Sequence, residues 1–239
     1  MRRLTQGLGK LGLQLSRRQA QQFELYYEEL VAWNKRINLT SITDYEEVQV
    51  KHFLDSITVT LALAEEETSK PDLSIMDVGA GAGFPGLPVK ILLGQARLVL
   101  LDSTGKKAAF LRYVAEKLDL SSVEIVNGRA EEVGHLPLYR QQFDLVVSRA
   151  VASLPTIVEL SLPFCLVGGK FVAQEKGDIG REIDKASRAI NILGGKLKGV
   201  EQIKLEELGG DRYLVIIDKI CPTPEKYPRR CGIPKRRPI

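Results

Sequence analysis

An aspartate two positions ahead of a run of small residues is the first feature that could do chemistry. Asp77-Val78-Gly79-Ala80-Gly81-Ala82-Gly83-Phe84-Pro85-Gly86 follows the apolar stretch that begins at Ser74. A strand that ends in closely spaced glycines makes a tight turn, and a ligand can approach its backbone. Gly81 to Gly86 also fits the dinucleotide pattern G-x-G-x-x-G, with Asp102 lying 21 residues beyond Gly81. A carboxylate there can accept the hydroxyls of a ribose, so NAD and S-adenosylmethionine are both candidate ligands. Asp77 favours the second, because a carboxylate at the strand end suits an ammonium group. Pro85 and Pro88 favour it too: proline has no N–H to offer a pyrophosphate, and S-adenosylmethionine carries no phosphate. Asp102 serves either.

The methyl acceptor is narrowed by the turn Ser148-Arg149-Ala150-Val151-Ala152-Ser153. It lacks the Asp/Asn-Pro-Pro-aromatic sequence that grips an adenine amino group. Carbon-5 methylation of cytosine needs a thiolate nucleophile. Cys165 falls in an apolar segment expected to be helical, and Cys221 and Cys231 lie in or beside the tail. Guanine N7 fits what remains, since it carries a lone pair and no proton to remove. Alignment and proximity would then carry the reaction. Arg149, at the ligand-facing end of a strand, is the candidate positioning residue, with no obligatory general base.

These residues need a frame, and the chain supplies an α/β one. Strands are expected at Ser74–Val78, Arg97–Leu101, Val123–Val126, Phe143–Val147 and Gly169–Gln174. Helices are expected at 86–93, 104–118, 155–165 and 178–193. Lys196–Leu205 and Arg212–Lys219 are separated by a link too short for a parallel crossover, so they form a hairpin. Ahead of the first strand, residues 17–37 have the period of an amphipathic helix capped by Ser16. A second helix starts at Asp44, with Glu47 at capping-box spacing. The expected fold is a doubly wound, mostly parallel sheet with a terminal antiparallel hairpin, of the class I (Rossmann-like) methyltransferase type. The expected organisation is a helical extension at 1–70, a methyltransferase domain at 71–221 and a basic tail at 222–239 without regular structure.

Composition sets outer bounds. With 44% hydrophobic residues over 239 positions the chain can bury a sizeable core. No stretch approaches the roughly 18 apolar residues of a membrane span, and the three cysteines form neither a disulfide framework nor a metal cluster. A cytoplasmic, metal-free protein is expected, and a monomer, since no heptad seam is present. The net charge of +4 is unevenly placed: residues 1–18 and 222–239 each carry +5, leaving −6 between them. Cationic ends suit a polyanion, because phosphate contacts release counterions. Arg229, Arg230, Lys235, Arg236 and Arg237 are the candidate RNA contacts; the competing reading is a pair of soluble flexible termini.

The pieces together resemble one family. Trp33-Asn34-Lys35-Arg36-Ile37-Asn38-Leu39-Thr40, His52-Phe53-Leu54-Asp55-Ser56, Asp77–Gly86, Leu101-Asp102-Ser103-Thr104-Gly105-Lys106-Lys107, Ser148-Arg149-Ala150 and Tyr227-Pro228-Arg229-Arg230 carry the likeness over nearly the whole chain. It resembles the RsmG (glucose-inhibited division protein B) family of bacterial 16S rRNA guanine-N7 methyltransferases. That resemblance implies S-adenosylmethionine as cofactor, held by Gly79 and Phe84 on the loop along with Asp77, Gly81 and Gly83. Asp102, Ser103 and Thr104 would hold the ribose, Ala130 and Glu131 would flank the adenine, and Arg149 would stand near cofactor and substrate. Thr104 departs from the residue common in relatives, which leaves the ribose carboxylate untouched. The implied partner is 16S rRNA, as the small subunit or an assembly intermediate. Two other classes stay open from the residues alone: an NAD-dependent oxidoreductase, and a non-catalytic ribosome-assembly module. His52 and Asp55, three apart on one helix face, are read as a hydrogen-bonded pair fixing the helical extension to the sheet, the competing reading being a polar pair that touches the site. Trp33 and Tyr26 are read as core, and one of Lys106 and Lys107 as reaching RNA.

Overall fold

The computed structural model describes residues 1–149 and 152–239, so Ala150 and Val151 of the candidate acceptor turn lie outside the described residues. Seven strands form one sheet in the order β3-β2-β1-β4-β5-β7-β6. They are β1 (Ser74–Val78), β2 (Arg97–Asp102), β3 (Val123–Asn127), β4 (Phe143–Arg149), β5 (Cys165–Glu175), β6 (Gly195–Gln202) and β7 (Tyr213–Lys219). The first five run parallel, and β7 is antiparallel to both β5 and β6. The expected hairpin is therefore present, with β7 between its partner and the parallel strands. Strand order reverses between β1 and β4, and a crevice opens at such a switch point, beyond the carboxyl ends of the strands.

Helices α1 (Arg2–Lys10), α2 (Arg17–Asn34), α3 (Tyr45–Val48), α4 (Asp55–Ile57) and α5 (Glu65–Thr68) precede the sheet. Those that follow are α6 (Gly86–Leu92), α7 (Gly105–Lys117), α8 (Ala130–Val133), α9 (Leu154–Ser161), α10 (Ile179–Ile192) and α11 (Ile233–Arg236). Ser16 caps α2 through a capping box with Gln19. The box expected at Asp44 forms only half way: Asp44 accepts from the amides of Glu46 and Glu47, while the Glu47 side chain turns outward to Lys51. The helix that starts there also departs from regular geometry. Gln49–Leu54 is a π-helical turn, and Thr58–Ala62 tightens to 3-10.

The helical extension is not a separate lobe. Leu4, Phe23, Tyr26, Leu30 and Phe53 share one buried cluster with Ile75, Leu98, Leu100, Leu145 and Val147 of the sheet. Met76, Val99, Phe143, Ile157 and Phe171 form the core on the opposite face. Trp33 packs on Phe110 and Tyr113, as a core aromatic does. Cys165 corrects an expectation: it begins β5 rather than ending a helix, because α9 stops at Ser161 and Leu162–Phe164 form a 3-10 turn. It is fully buried, and burial pushes its thiol up to about 12, far from nucleophilic.

The tail has, as expected, little regular structure, only the four-residue α11, but it is not loose: it folds back over α8 and α9, with Thr223, Tyr227 and Pro234 buried. Backbone carbonyl contacts hold it there: the Arg140 guanidinium donates to the carbonyls of Thr223, Pro224 and Tyr227.

Candidate active site

A cavity of about 520 Å³ opens at the carboxyl ends of β1, β2 and β4. That is within the usual range for a small-molecule site. Its floor is the glycine loop. Gly79, Gly81 and Gly83 have φ of +77°, +61° and +94°, a region L side chains rarely adopt. Gly83 is constrained twice over, because an added Cβ would lie 2.5 Å from the Tyr26 hydroxyl. That hydroxyl donates to the Ala82 carbonyl, so α2 holds the loop from below. Tyr26 is core, as expected, and a loop support as well.

Asp102 ends β2 and lines the cavity. Its Oδ2 accepts from the Gly81 amide at 2.9 Å and its Oδ1 from the Thr104 amide at 2.7 Å. Each oxygen keeps a further lone pair, so the carboxylate is oriented and still able to receive two hydroxyls. Ser103, Thr104, Gly79, Gly81, Phe84, Ala130, Glu131 and Arg149 line the same cavity, as the expected site requires. Asp77 and Gly83 do not. Asp77 is wholly buried beneath the loop, where its Oδ2 accepts from the Gly86 amide at 2.8 Å and its Oδ1 has no partner among the described residues. Burial raises this carboxyl to about 7. The role expected for it, facing an ammonium group, is thus replaced by tying the start of α6.

The same contact tests the two ligands. A pyrophosphate needs free amides at a helix start. At α6 the Gly86 amide is committed to Asp77, the Leu87 amide to the Gly83 carbonyl, and Pro85 and Pro88 have none. The residues present suit an adenosine whose ribose meets Asp102. They do not suit a phosphate at the loop.

Sequence reasoning missed how the other wall is built. His52 stacks on Phe84 with ring centroids 4.5 Å apart, and the Arg149 guanidinium lies 5.0 Å from the Phe84 centroid. Arg149 donates to Asp55 Oδ2 at 3.0 Å and approaches His52 Nδ1 at 3.5 Å. His52 and Asp55, expected as a mutual pair, instead both serve Arg149. Asp55 does fix the extension to the sheet, through Arg149 on β4 and an ion contact with Arg212 beside β7 at 3.3 Å. His52 and Thr40 reach the cavity itself, joined at 2.7 Å. Burial, then the positive charges of Arg149 and Lys176, drive His52 down to about 3. The neutral ring then accepts from Arg149 at Nδ1 and donates from Nε2 to Thr40. The motif His52-Phe53-Leu54-Asp55 was visible, but the π turn that aims it was not.

The chain is matched by a family model described as rRNA small subunit methyltransferase G, over residues 19–212. A protein named ribosomal RNA small subunit methyltransferase G from Dehalococcoides mccartyi (strain CBDB1) is 51% identical over the full length of both chains. The chain belongs to the rRNA small subunit methyltransferase G family. Another member, from Roseiflexus castenholzii, is 48% identical over 95% of each chain. Similarity to solved structures supports the fold. An O-methyltransferase from Bacillus cereus in complex with SAH matches with a TM-score of 0.56 at 18% identity, covering 81% of this chain and 90% of that one. A SAM-dependent methyltransferase from Aquifex aeolicus gives 0.53 at 14%, covering 80% and 98%. The family model's match ends at Arg212, whereas the Dehalococcoides relative matches through the tail, which holds the expected RNA contacts.

Within that tail the five candidate RNA contacts divide, and the sixth cation, Lys226, is exposed. Arg229 is engaged inside the fold by the buried Glu159. Arg230, Lys235, Arg236 and Arg237 are exposed, with no carboxylate within 4.0 Å among the described residues. Lys235 and Lys107 also line the cavity. No group of three or more potential metal ligands gathers among the described residues, and none of their helices is long and apolar enough to cross a membrane.

Proposed function

We propose that this chain transfers a methyl group from S-adenosylmethionine to N7 of a guanine in 16S rRNA, in the cytoplasm. Membership of the family carries the substrate class. The oriented Asp102 carboxylate, beside an α6 start whose Gly86 and Leu87 amides are already engaged, supports the cofactor. When bound, S-adenosylmethionine supplies an electrophilic methyl group on a sulfonium.

The residues of this chain position rather than titrate. Asp102, with Ser103 and Thr104, holds the ribose, while Ala130 and Glu131 flank the adenine. Arg149, clamped by Asp55 and laid over Phe84, fixes the wall between cofactor and acceptor. Guanine N7, with a lone pair and no proton to lose, would ask these residues for alignment rather than for a base. A neutral His52 held near 3 is in keeping with a site that needs no base. The exposed tail cations Arg230, Lys235, Arg236 and Arg237 contact phosphates.

The test is transfer of labelled methyl to small subunits, or their rRNA, from a strain lacking this modification, with the product nucleotide mapped by mass spectrometry. Label at guanine N7 is expected. No label on any ribosomal substrate would overturn the enzyme reading and leave the assembly-module alternative. Binding of NAD in preference to S-adenosylhomocysteine would overturn the cofactor.

A further inference from the structure

The cavity has one wall that does not come from the sheet or from the helices flanking it. Gly232 and Lys235 line it, and both belong to the tail. The path of the tail is fixed by a series of buried contacts. Lys219, itself buried, donates to the Leu193 carbonyl at 2.7 Å and to the Thr223 hydroxyl. Arg140 then binds the carbonyls of Thr223, Pro224 and Tyr227. At the next step Glu159, wholly buried on the apolar helix α9, receives Arg229: Oε1 accepts from its backbone amide at 2.9 Å and from Nε at 2.8 Å, and Oε2 from Nη2 at 2.6 Å.

A carboxylate with no exposure is costly unless it is paired and hydrogen-bonded. Among the described residues the only cation pairing with Glu159 comes from the tail. Its burial therefore depends on the tail lying where it does. Three residues on, Gly232 takes φ +77° and turns its amide to Glu131 Oε1 at 3.0 Å. The Pro234 carbonyl accepts from the Thr156 hydroxyl at 3.2 Å, which sets the chain beyond that turn.

We propose that residues 222–237 are a strap forming the outer wall of the cofactor site. Arg229 is its latch, a positioning residue, and the Gly232 amide fixes Glu131 beside the bound adenosine. This rests on the cofactor reading above. It assigns Arg229 to the cofactor side of the reaction rather than to RNA, and makes the tail part of the binding site.

Calorimetric titration with S-adenosylhomocysteine tests it in the full chain. Gly232→Pro removes the amide and cannot adopt the positive φ. The dissociation constant should rise roughly tenfold, about the worth of one charge-assisted hydrogen bond, while the Arg229–Glu159 pair stays in place and the ligand-free chain still unfolds cooperatively, at a somewhat lower midpoint. Arg229→Gln should weaken binding at least as much, and Arg229→Lys should recover part of it, since the charge returns without the fork. If Arg229→Gln does not fold, Gly232→Pro decides alone, because the latch is intact in it. Unchanged affinity in Gly232→Pro removes the strap. Failure of the unaltered chain to bind removes the cofactor reading, and the strap with it.

Discussion

The two ends of the chain carry the same charge, and the fold uses them in opposite ways. Residues 1–18 become α1 and the start of α2, with surface ion pairs: Arg3 to Glu46, Lys10 to Glu207 and Arg18 to Asp119. Leu4 and Leu8 beneath them are fully buried. This end is held by its apolar face, and three of its five cations sit on acidic neighbours, with Arg2 and Arg17 exposed. The C-terminal end is held by polar contacts, one of them an ion pair to the buried Glu159, and five of its cations, Lys226 among them, face water with no carboxylate partner among the described residues. Equal net charge therefore says nothing about availability. A cation reaches a nucleic acid only where the fold has not already given it a carboxylate.

Four measurements bear on this contrast. The largest effect is expected at the latch. Arg229→Gln leaves Glu159 buried and uncompensated, which costs about 3–5 kcal/mol of stability. Denaturant unfolding should show it, and the double variant with Glu159→Gln should restore most of that stability. Next comes replacement of Arg230, Lys235, Arg236 and Arg237 by Gln. Affinity for 16S rRNA should fall, and the slope of log affinity against log salt should flatten by roughly 0.7–0.9 for each phosphate no longer neutralised. An unchanged slope would return the tail wholly to the cofactor site.

A smaller effect belongs to His52, where the N-terminal region meets the site. Its folded pKa of about 3 lies below the unfolded value of 6.5. Between these the unfolded chain binds a proton the folded one does not, so stability falls as pH drops from 6.5 towards 3, by at most about 1.4 kcal/mol per pH unit. His52→Gln should lack that component when urea midpoints are compared across this range. The smallest effect is expected from replacing Arg3, Lys10 and Arg18 by Gln: no resolvable change in the salt slope of RNA binding. A flattened slope there would make the two ends alike after all.

What could be read from the sequence follows from how local each signal is. β1 was legible to the residue because apolar residues, Asp77 and the glycines sit within one stretch. Asp102 was legible from its place after a second such strand. The terminal hairpin followed from the length of a link. By contrast, α1 was hidden by its charges and its two internal glycines, and Cys165 was misplaced because an apolar run looks alike in helix and strand. The stack of His52, Phe84 and Arg149 joins three distant segments, and no spacing encodes it. Glu159 reads like any glutamate on a helix until its partner, 70 residues away, covers it. The same long-range packing turns a tail expected to be irregular into a wall.

The inward bond from Gly86 to Asp77 has a consequence for competition among ligands. Many abundant metabolites share the adenosine of the proposed cofactor and differ by what hangs from its ribose. A loop with free amides would welcome every adenine nucleotide alike. With the Gly86 amide turned to Asp77, the Leu87 amide to Gly83 and prolines at 85 and 88, this helix start makes phosphorylated rivals shed water from their phosphates with nothing in return. Selectivity at this end of the cavity would then come from a contact withheld.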